Sequence, residues 1–173
     1  MFAKSSKEIK EKVYFALVRS KLEYASSVWD PYTDKHCNNL EMIQRKAARF
    51  VVGDYDLTSS VSKIIENLKW DTLASRRQFA RLKNFYLVYN GIGGWADLFE
   101  YIDPPARLGR SERPYSVRTA IPRTDIGKYS FVTRSVSEWN NLPDSVFNNA
   151  PVSFSLFKQR LQNHIFLLIY IYH

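Results

Sequence analysis

A mainly α fold is predicted for this chain of 173 residues on three observations. Apolar residues recur at helical spacing in several segments. Stop signals at Asp30-Pro31, Gly53, Asn90-Gly91 and Pro143 separate those segments. Helical period is lost in only one stretch, which is rich in arginine. Hydrophobic residues make up 45% and aromatic residues 15% of the chain, enough for a real core and against global disorder. The expected organisation is an N-terminal bundle of about four helices over residues 1–103, a basic irregular segment over 104–130, and two C-terminal helices within 131–173.

The first helix is expected from about Ser6 to Trp29. At ~100° per residue, Ile9, Val13, Ala16, Leu17, Ser20, Tyr24 and Val28 fall on one stripe. Phe15, Val18, Leu22, Ala25 and Trp29 form a second, roughly opposite. The second stripe is expected to be left partly exposed, because a bundle of this size readily covers only one. Pro31 ends the helix, since the residue before a proline disfavours the helical region. A second helix is expected over Asp34–Val52, with Thr33 as N-cap and Gly53 as its stop. Leu40, Ile43, Ala47, Phe50 and Val51 share one of its faces, and Arg45, Lys46 and Arg49 lie on the other. A short helix near Ser60–Leu68 follows, with Val61, Ile64, Ile65 and Leu68 apolar. Asp71 then caps a longer helix reaching Asn90. Phe79, Leu82, Phe85, Tyr86 and Tyr89 give that helix an apolar face, and Arg77, Arg81 and Asn84 a polar ridge.

From Ala106 to Tyr129 the helical period disappears, and Val117–Ile121 is expected as a short strand. Helicity returns over Phe131–Leu142, where Val132, Val136 and Trp139 share a face. A last helix fits Ser153–Ile165, with Phe154, Phe157, Leu161 and Ile165 in register.

Catalytic signals are absent. Metal-dependent phosphoryl transfer needs closely paired carboxylates, and no adjacent Asp-Asp occurs. Asp54 and Asp56 are the closest pair and read as turn residues. Gly91, Gly93 and Gly94 lack phosphate-loop spacing. His36 and Cys37 are sequence neighbours and point in different directions on a helix. Cys37 is the single cysteine, which excludes an intrachain disulfide and a cysteine-based zinc site. No metal, cofactor or enzymatic activity is expected. No apolar run follows Met1, so no secretory leader is expected, and the apolar run Ile165–Tyr172 is too short to span a bilayer. An intracellular protein, cytoplasmic or nuclear, is the corresponding expectation.

The formal net charge is +8. Its excess is mild up to Asp103 and concentrated beyond it, which favours polyanionic partners. The candidate phosphate contacts are Arg45, Arg49, Arg77 and Arg81 on helices, and Arg107, Arg110, Arg113, Arg118, Arg123 and Lys128 in the basic segment. For the helical arginines a solvated face is the competing reading. Tyr24, Trp29, Trp70, Trp139 and Phe157 are candidates for base stacking, though their helical spacing favours core packing.

Several runs also resemble one family. LVRSKLEYASSVWDPY, from Leu17 to Tyr32, is similar to the segment just beyond the polymerase palm in jockey-like LINE retrotransposons, where the wording is LVRxxLEYAxxVWxP. LEMIQRKAAR, from Leu40 to Arg49, resembles the next helix, LExxQRxAxR. Arg76-Arg77, Ala80-Arg81-Leu82 and Phe85-Tyr86, up to Asn90-Gly91, resemble a third run. Arg123-Thr124-Asp125 with Tyr129-Ser130-Phe131 resembles a fourth. Trp139-Asn140-Asn141-Leu142-Pro143 and Phe157-Lys158 close the series, which spans roughly residues 7–161 in family order. The resemblance implies the thumb-like and post-thumb region of a non-LTR retrotransposon reverse transcriptase, an RNA-directed DNA polymerase of a transposable element. The Tyr-x-Asp-Asp box of that family's palm and its Cys-His knuckle are absent from these residues. The implied function is non-catalytic, sequence-tolerant binding of the RNA or DNA backbone. The alternatives are a helical interaction module that docks on a palm or another protein, and a relic without selected function. Through the exposed second stripe the chain is expected to self-associate or to bind a palm supplied in trans, and a membrane partner is not expected.

Overall fold

A computed structural model describes residues 5–94, 98, 102, 115–118, 121–147 and 153–171, with side chains up to Phe166 in the last of these. The described residues are helical throughout, apart from turns and connections. The chain divides into two compact units, Met1–Arg77 and Gln78–His173. The division falls inside a helix, whereas the change of composition lies near residue 104. Helices form wherever the apolar period is strong, and each unit gathers its own core.

In the first unit, α1 spans Lys7–Val13, a π-helical stretch Tyr14–Arg19, α2 Ser20–Glu23 and α3 Ser26–Trp29. This replaces the single helix expected over Ser6–Trp29. The break sits at Tyr24-Ala25, where Ala25 is left-handed with φ 49°, a conformation that costs an L-residue about 1–2 kcal/mol. The indole Nε1 of Trp29 donates to the freed carbonyl of Tyr24 at 2.7 Å, and Val28 N donates to Ala25 O at 2.8 Å. These bonds satisfy the backbone at the break. No glycine or proline marks it in the sequence.

The first stripe of this segment, expected to be covered, is largely exposed, while the second is partly exposed, at Ala25 and Trp29. Phe15 and Val18 pack on the core, whereas Ile9, Leu17, Tyr24 and Val28 are exposed. Ile9 is already exposed in α1, where Lys10 and not Ile9 is buried; beyond it the π stretch holds more residues per turn, so faces assigned at the α-helical angle do not carry through it.

α4 spans Asp34–Val52 and ends at Gly53, whose φ is 77°. A left-handed residue is needed there, which explains the glycine. Thr33 occupies the N-cap position, but its hydroxyl pairs with His36 Nδ1 at 2.8 Å instead of a backbone amide. The buried face of α4 is centred on Gln44, Ala48 and Val51, so Ile43, expected inside, is exposed. α5 spans Val61–Asn67. It closes on Lys69, a non-glycine at φ 55°, through bonds from Lys69 N to Glu66 O and from Trp70 N to Ile65 O. These spacings are those of a Schellman cap. The core of the unit is Tyr14, Ala48, Val51, Ile64 and Trp70, with Tyr14 stacked on Trp70 at 4.6 Å.

α6 spans Leu73–Tyr89. Its N-terminus is capped by Thr72, not Asp71: Ser75 N donates to Thr72 Oγ1 at 3.1 Å. Glu41 from α4 accepts from Leu73 N and Ala74 N at 3.3 and 2.8 Å. The orphan amides of the first turn are thereby satisfied, and a carboxylate sits at the positive end of the helix dipole. Gly91 ends the helix at φ 60°, with Gly91 N on Val88 O and Ile92 N on Leu87 O.

In the second unit, α7 spans Asp125–Lys128, α8 Phe131–Asn140, α9 Asp144–Phe147 and α10 Phe154–Ile171. The segment expected to be irregular thus holds one helical turn, capped by Thr124, which accepts from Gly127 N. The expected strand is not formed by its described residues, Val117, Arg118 and Ile121. Val117 instead pairs with a side chain: its N–H donates to Asn140 Oδ1 at 3.0 Å, and its carbonyl accepts from Asn140 Nδ2 at 2.8 Å. One asparagine replaces a neighbouring strand. Ser130 caps α8, accepting from Thr133 N. α10 runs past the expected end at Ile165.

The core of this unit is built around Trp139. Phe85, Tyr89, Phe147 and Phe157 lie within 4.8–5.6 Å of its ring centre. Its indole N–H donates to Tyr115 O at 2.8 Å. Leu82, Tyr86, Val88, Ile102, Val117, Val136, Leu142, Val146, Leu161 and Ile165 belong to the same cluster. Residues Trp139-Asn140-Asn141-Leu142-Pro143 therefore have structural tasks: two side chains hold residues 115–117, and Leu142 fills the core. Trp70, Trp139 and Phe157 are buried and are not available for stacking on bases, while Tyr24 and Trp29 are exposed.

Candidate nucleic-acid interface

The arginines expected to contact phosphate divide into those that face solvent and those that hold the protein together. In the first unit, α4 carries Lys35, Arg45 and Lys46, all exposed. At ~100° per residue they fall on one arc of the helix, together with Asn38, Asn39 and Met42. Asp34, in the first turn, is the exposed acid of this helix. Arg49 shares the arc but is half-buried. Its guanidinium donates to the carbonyls of Asp54, Asp56 and Ser59 at 3.4, 2.6 and 3.0 Å. It is a loop clamp. Lys35 was missed in the sequence because it stands ten residues before Arg45; the helical period is the signal that relates them.

Arg77 and Arg81, expected on a polar ridge, are each only 4% exposed. Arg77 Nε donates to Asp30 Oδ1 at 2.8 Å within the first unit. In the second unit Arg81 pairs with both carboxylate oxygens of Glu138, with Nε at 3.1 Å from Oε2. Neither guanidinium is presented to solvent, and both are withdrawn as phosphate contacts. The physical reason is that a buried cation requires an opposite charge close by, and here the acids come from elsewhere in the chain. Sequence periodicity places these arginines beside the apolar face without revealing those partners.

In the second unit Arg118, Arg123 and Lys128 are exposed. Arg118 follows the Val117 that Asn140 holds. Lys128 Nζ lies 5.3 Å from the Tyr129 ring centre. Arg107, Arg110 and Arg113 lie outside the described residues.

A second polar cluster fills the first unit. Arg76 pairs with Glu23, with Nη2 at 3.0 Å from Oε2, and lies 3.7 Å from Asp71. Arg19 pairs with Glu23 at 3.3 Å. The hydrogen bond that Arg76 donates to Glu23 raises the Arg76 pKa, while burial lowers that of Arg19 and raises that of Asp71. Tyr14 OH donates to Gln44 Oε1 at 3.3 Å, and Gln44 Nε2 donates to Asp71 O at 2.8 Å. Burial pushes the Tyr14 phenol up to about 12 from 10.0. Below pH 10.0 the phenol is neutral whether the chain is folded or not, and its contribution to stability is complete. As pH rises toward about 12, the unfolded chain loses this proton first, so that contribution is lost progressively across the window. Burial raises the phenols of Tyr86 and Tyr89 as well, so phenolate absorbance should show a late phase to which Tyr14 contributes, and Tyr14→Phe should reduce its amplitude. A Tyr14→Phe chain with an undiminished late phase would refute the assignment.

No group of three or more His, Cys, Asp or Glu side chains among the described residues is placed to hold a metal ion. Asp54 and Asp56 serve as turn residues: Asp54 Oδ1 accepts from Asp56 N at 3.0 Å, and Asp56 Oδ1 accepts from Thr58 N and Oγ1, each at 2.9 Å. The Thr58 bonds hold the Asp56 carboxyl below its usual range. Cys37 Sγ donates to Pro31 O at 3.3 Å. No helix among the described residues is long and apolar enough to cross a membrane. Compared with protein-family models, curated proteins and solved structures, the chain matches none of them.

Proposed function

We propose that this chain is a non-catalytic helical module that binds the phosphate backbone of RNA or DNA without reading sequence. The observation that carries the reading is the exposed cationic arc of α4, where Lys35, Arg45 and Lys46 face solvent together. Cations on one face of a rigid helix meet successive phosphates and displace their condensed counterions. Asn38 and Asn39, exposed on the same arc, add hydrogen-bond donors suited to phosphate oxygens. Arg118, Arg123 and Lys128 of the second unit are secondary contacts. The resemblance to the thumb-like and post-thumb region of LINE reverse transcriptases supports the same reading and suggests its origin. In that reading, polymerase chemistry belongs to a palm of the family, and primer extension with magnesium should stay at background.

The test is a salt titration with a short RNA hairpin and a DNA duplex. Replacing Arg45 and Lys46 by glutamine should weaken binding to every sequence alike. It should also reduce the slope of log affinity against log salt by about 2, since each phosphate contact contributes ~0.9. An unchanged slope, or a strong preference of the native chain for one sequence, would overturn the proposal.

A further inference from the structure

The segment that joins α2 to α4 and carries α3 is held more firmly than a simple connection requires. Asp30 pairs with buried Arg77, and Ser26 and Ser27 are buried. Cys37 Sγ ties Pro31 O to the first turn of α4 at 3.3 Å. Trp29 Nε1 is fixed on Tyr24 O at 2.7 Å. Yet this held segment leaves Tyr24 80% and Trp29 40% exposed. Rings kept in water add little to a core, but rings already held in place lose little entropy on meeting a ligand. The bond to Tyr24 O uses the one polar group of the indole. What Trp29 still offers to solvent is carbon surface of a kind suited to stacking.

The charges along this segment limit what can meet the rings. Glu23 pairs with Arg76 and Arg19, and Asp30 with Arg77, so these groups neutralise one another. Lys21, Asp34, Lys35 and His36 are exposed, and His36 Nδ1 pairs with Thr33 Oγ1. Asp34 is the one exposed acid among them. Lys35, six residues past Trp29, is also the first cation of the α4 arc. A polyanion seated on that arc therefore continues onto the segment past a single exposed carboxylate. In a duplex the faces of the bases are covered by their neighbours, whereas an unpaired strand can lay them on aromatic side chains.

We infer that Tyr24 and Trp29 stack on unpaired bases of a single strand whose phosphates lie on α4. The inference rests on the phosphate reading of that helix and names its partner as single-stranded nucleic acid. Each ring takes its own base, so the flexible strand links the two sites and no continuous apolar surface between them is needed. Stacking of this kind tolerates any sequence, because every base has a π-face.

Three DNA probes of equal length test this: a single strand, the same strand with abasic sites throughout, and a duplex. The native full chain should bind the base-bearing strand more tightly than the abasic one. Tyr24→Leu, at an exposed position and with its backbone carbonyl untouched, should weaken binding of the base-bearing strand by about 5- to 150-fold, the worth of one stacked base. Abasic strand and duplex should bind that variant as they bind the native chain. The slope of log affinity against log salt should not change either, since no phosphate contact is lost. Trp29→Leu should show the same selectivity. It also removes the bond to Tyr24 O, so Tyr24→Leu decides the matter if circular dichroism shows that the Trp29 variant fails to fold. Equal native affinity for base-bearing and abasic strands overturns the inference. So does a Tyr24→Leu chain that loses affinity for none of the probes, which leaves the rings to a protein partner, or for all three alike, which marks a structural role. Replacing Arg45 and Lys46 by glutamine should weaken all three probes. Where that holds and the ring variants fail, the phosphate reading stands and this inference alone falls; a native chain that binds none of the probes overturns both.

Discussion

Replacing Asp30 by alanine should unfold much of the first unit's structure at moderate temperature. The side chains of Arg77 and Asp30 are 5% and 6% exposed, so the substitution strands a guanidinium in a site that water hardly reaches. Breaking a buried pair from one side costs about 3–5 kcal/mol. A domain of this size has only about 5–15 kcal/mol in total, and each kcal/mol moves its melting temperature by roughly 4–8 °C. A fall of at least about 12 °C is therefore expected by thermal circular dichroism. The double variant Asp30→Leu/Arg77→Met should recover a large part of that loss, because it removes the stranded charge as well as its partner. A loss under about 1 kcal/mol, the range of exposed pairs, would show that Arg77 reaches solvent and would restore it as a phosphate contact.

Trp139→Ala should be the most damaging single change in the second unit. The ring is 2% exposed and meets Phe85, Tyr89, Phe147 and Phe157. Truncating a buried tryptophan costs about 3–5 kcal/mol in lost burial and residual cavity. The indole N–H also holds Tyr115 O, and an orphaned buried acceptor adds about 1–3 kcal/mol. Trp139→Phe separates the two contributions, since it keeps most of the packing and loses only the donor. Denaturant unfolding should rank the chains native, then Trp139→Phe, then Trp139→Ala. Equal stability of the native and phenylalanine forms would show that the bond to Tyr115 carries no weight. Asn140→Ala should loosen the same segment by freeing the Val117 backbone.

The helices of this protein are legible because their determinants are local. Periodic apolar residues set α4, α6, α8 and α10, and Gly53, Gly91 and Pro143 end their helices as glycine and proline must. The core roles of Phe85, Phe157, Leu161 and Ile165 follow from spacing alone. Exposure of Arg45 and Lys46 is equally readable, since both lie off the apolar face of α4.

What the sequence does not carry is the partner of each polar group. Arg77 and Arg81 have the same local pattern as Arg45, and only Asp30 and Glu138, 47 and 57 residues away, make them structural. The fate of Arg49 depended on a loop whose carbonyls converge only after folding. The break at Ala25 and the π turns before it have no local signal, because non-local packing of Tyr14 and Phe15 on Trp70 accompanies a backbone that propensity disfavours. The sequence by itself therefore determined where helices form and which of their residues are apolar. Tertiary structure alone decided which charges are neutralised and which apolar row meets water, because both depend on groups brought together from distant parts of the chain.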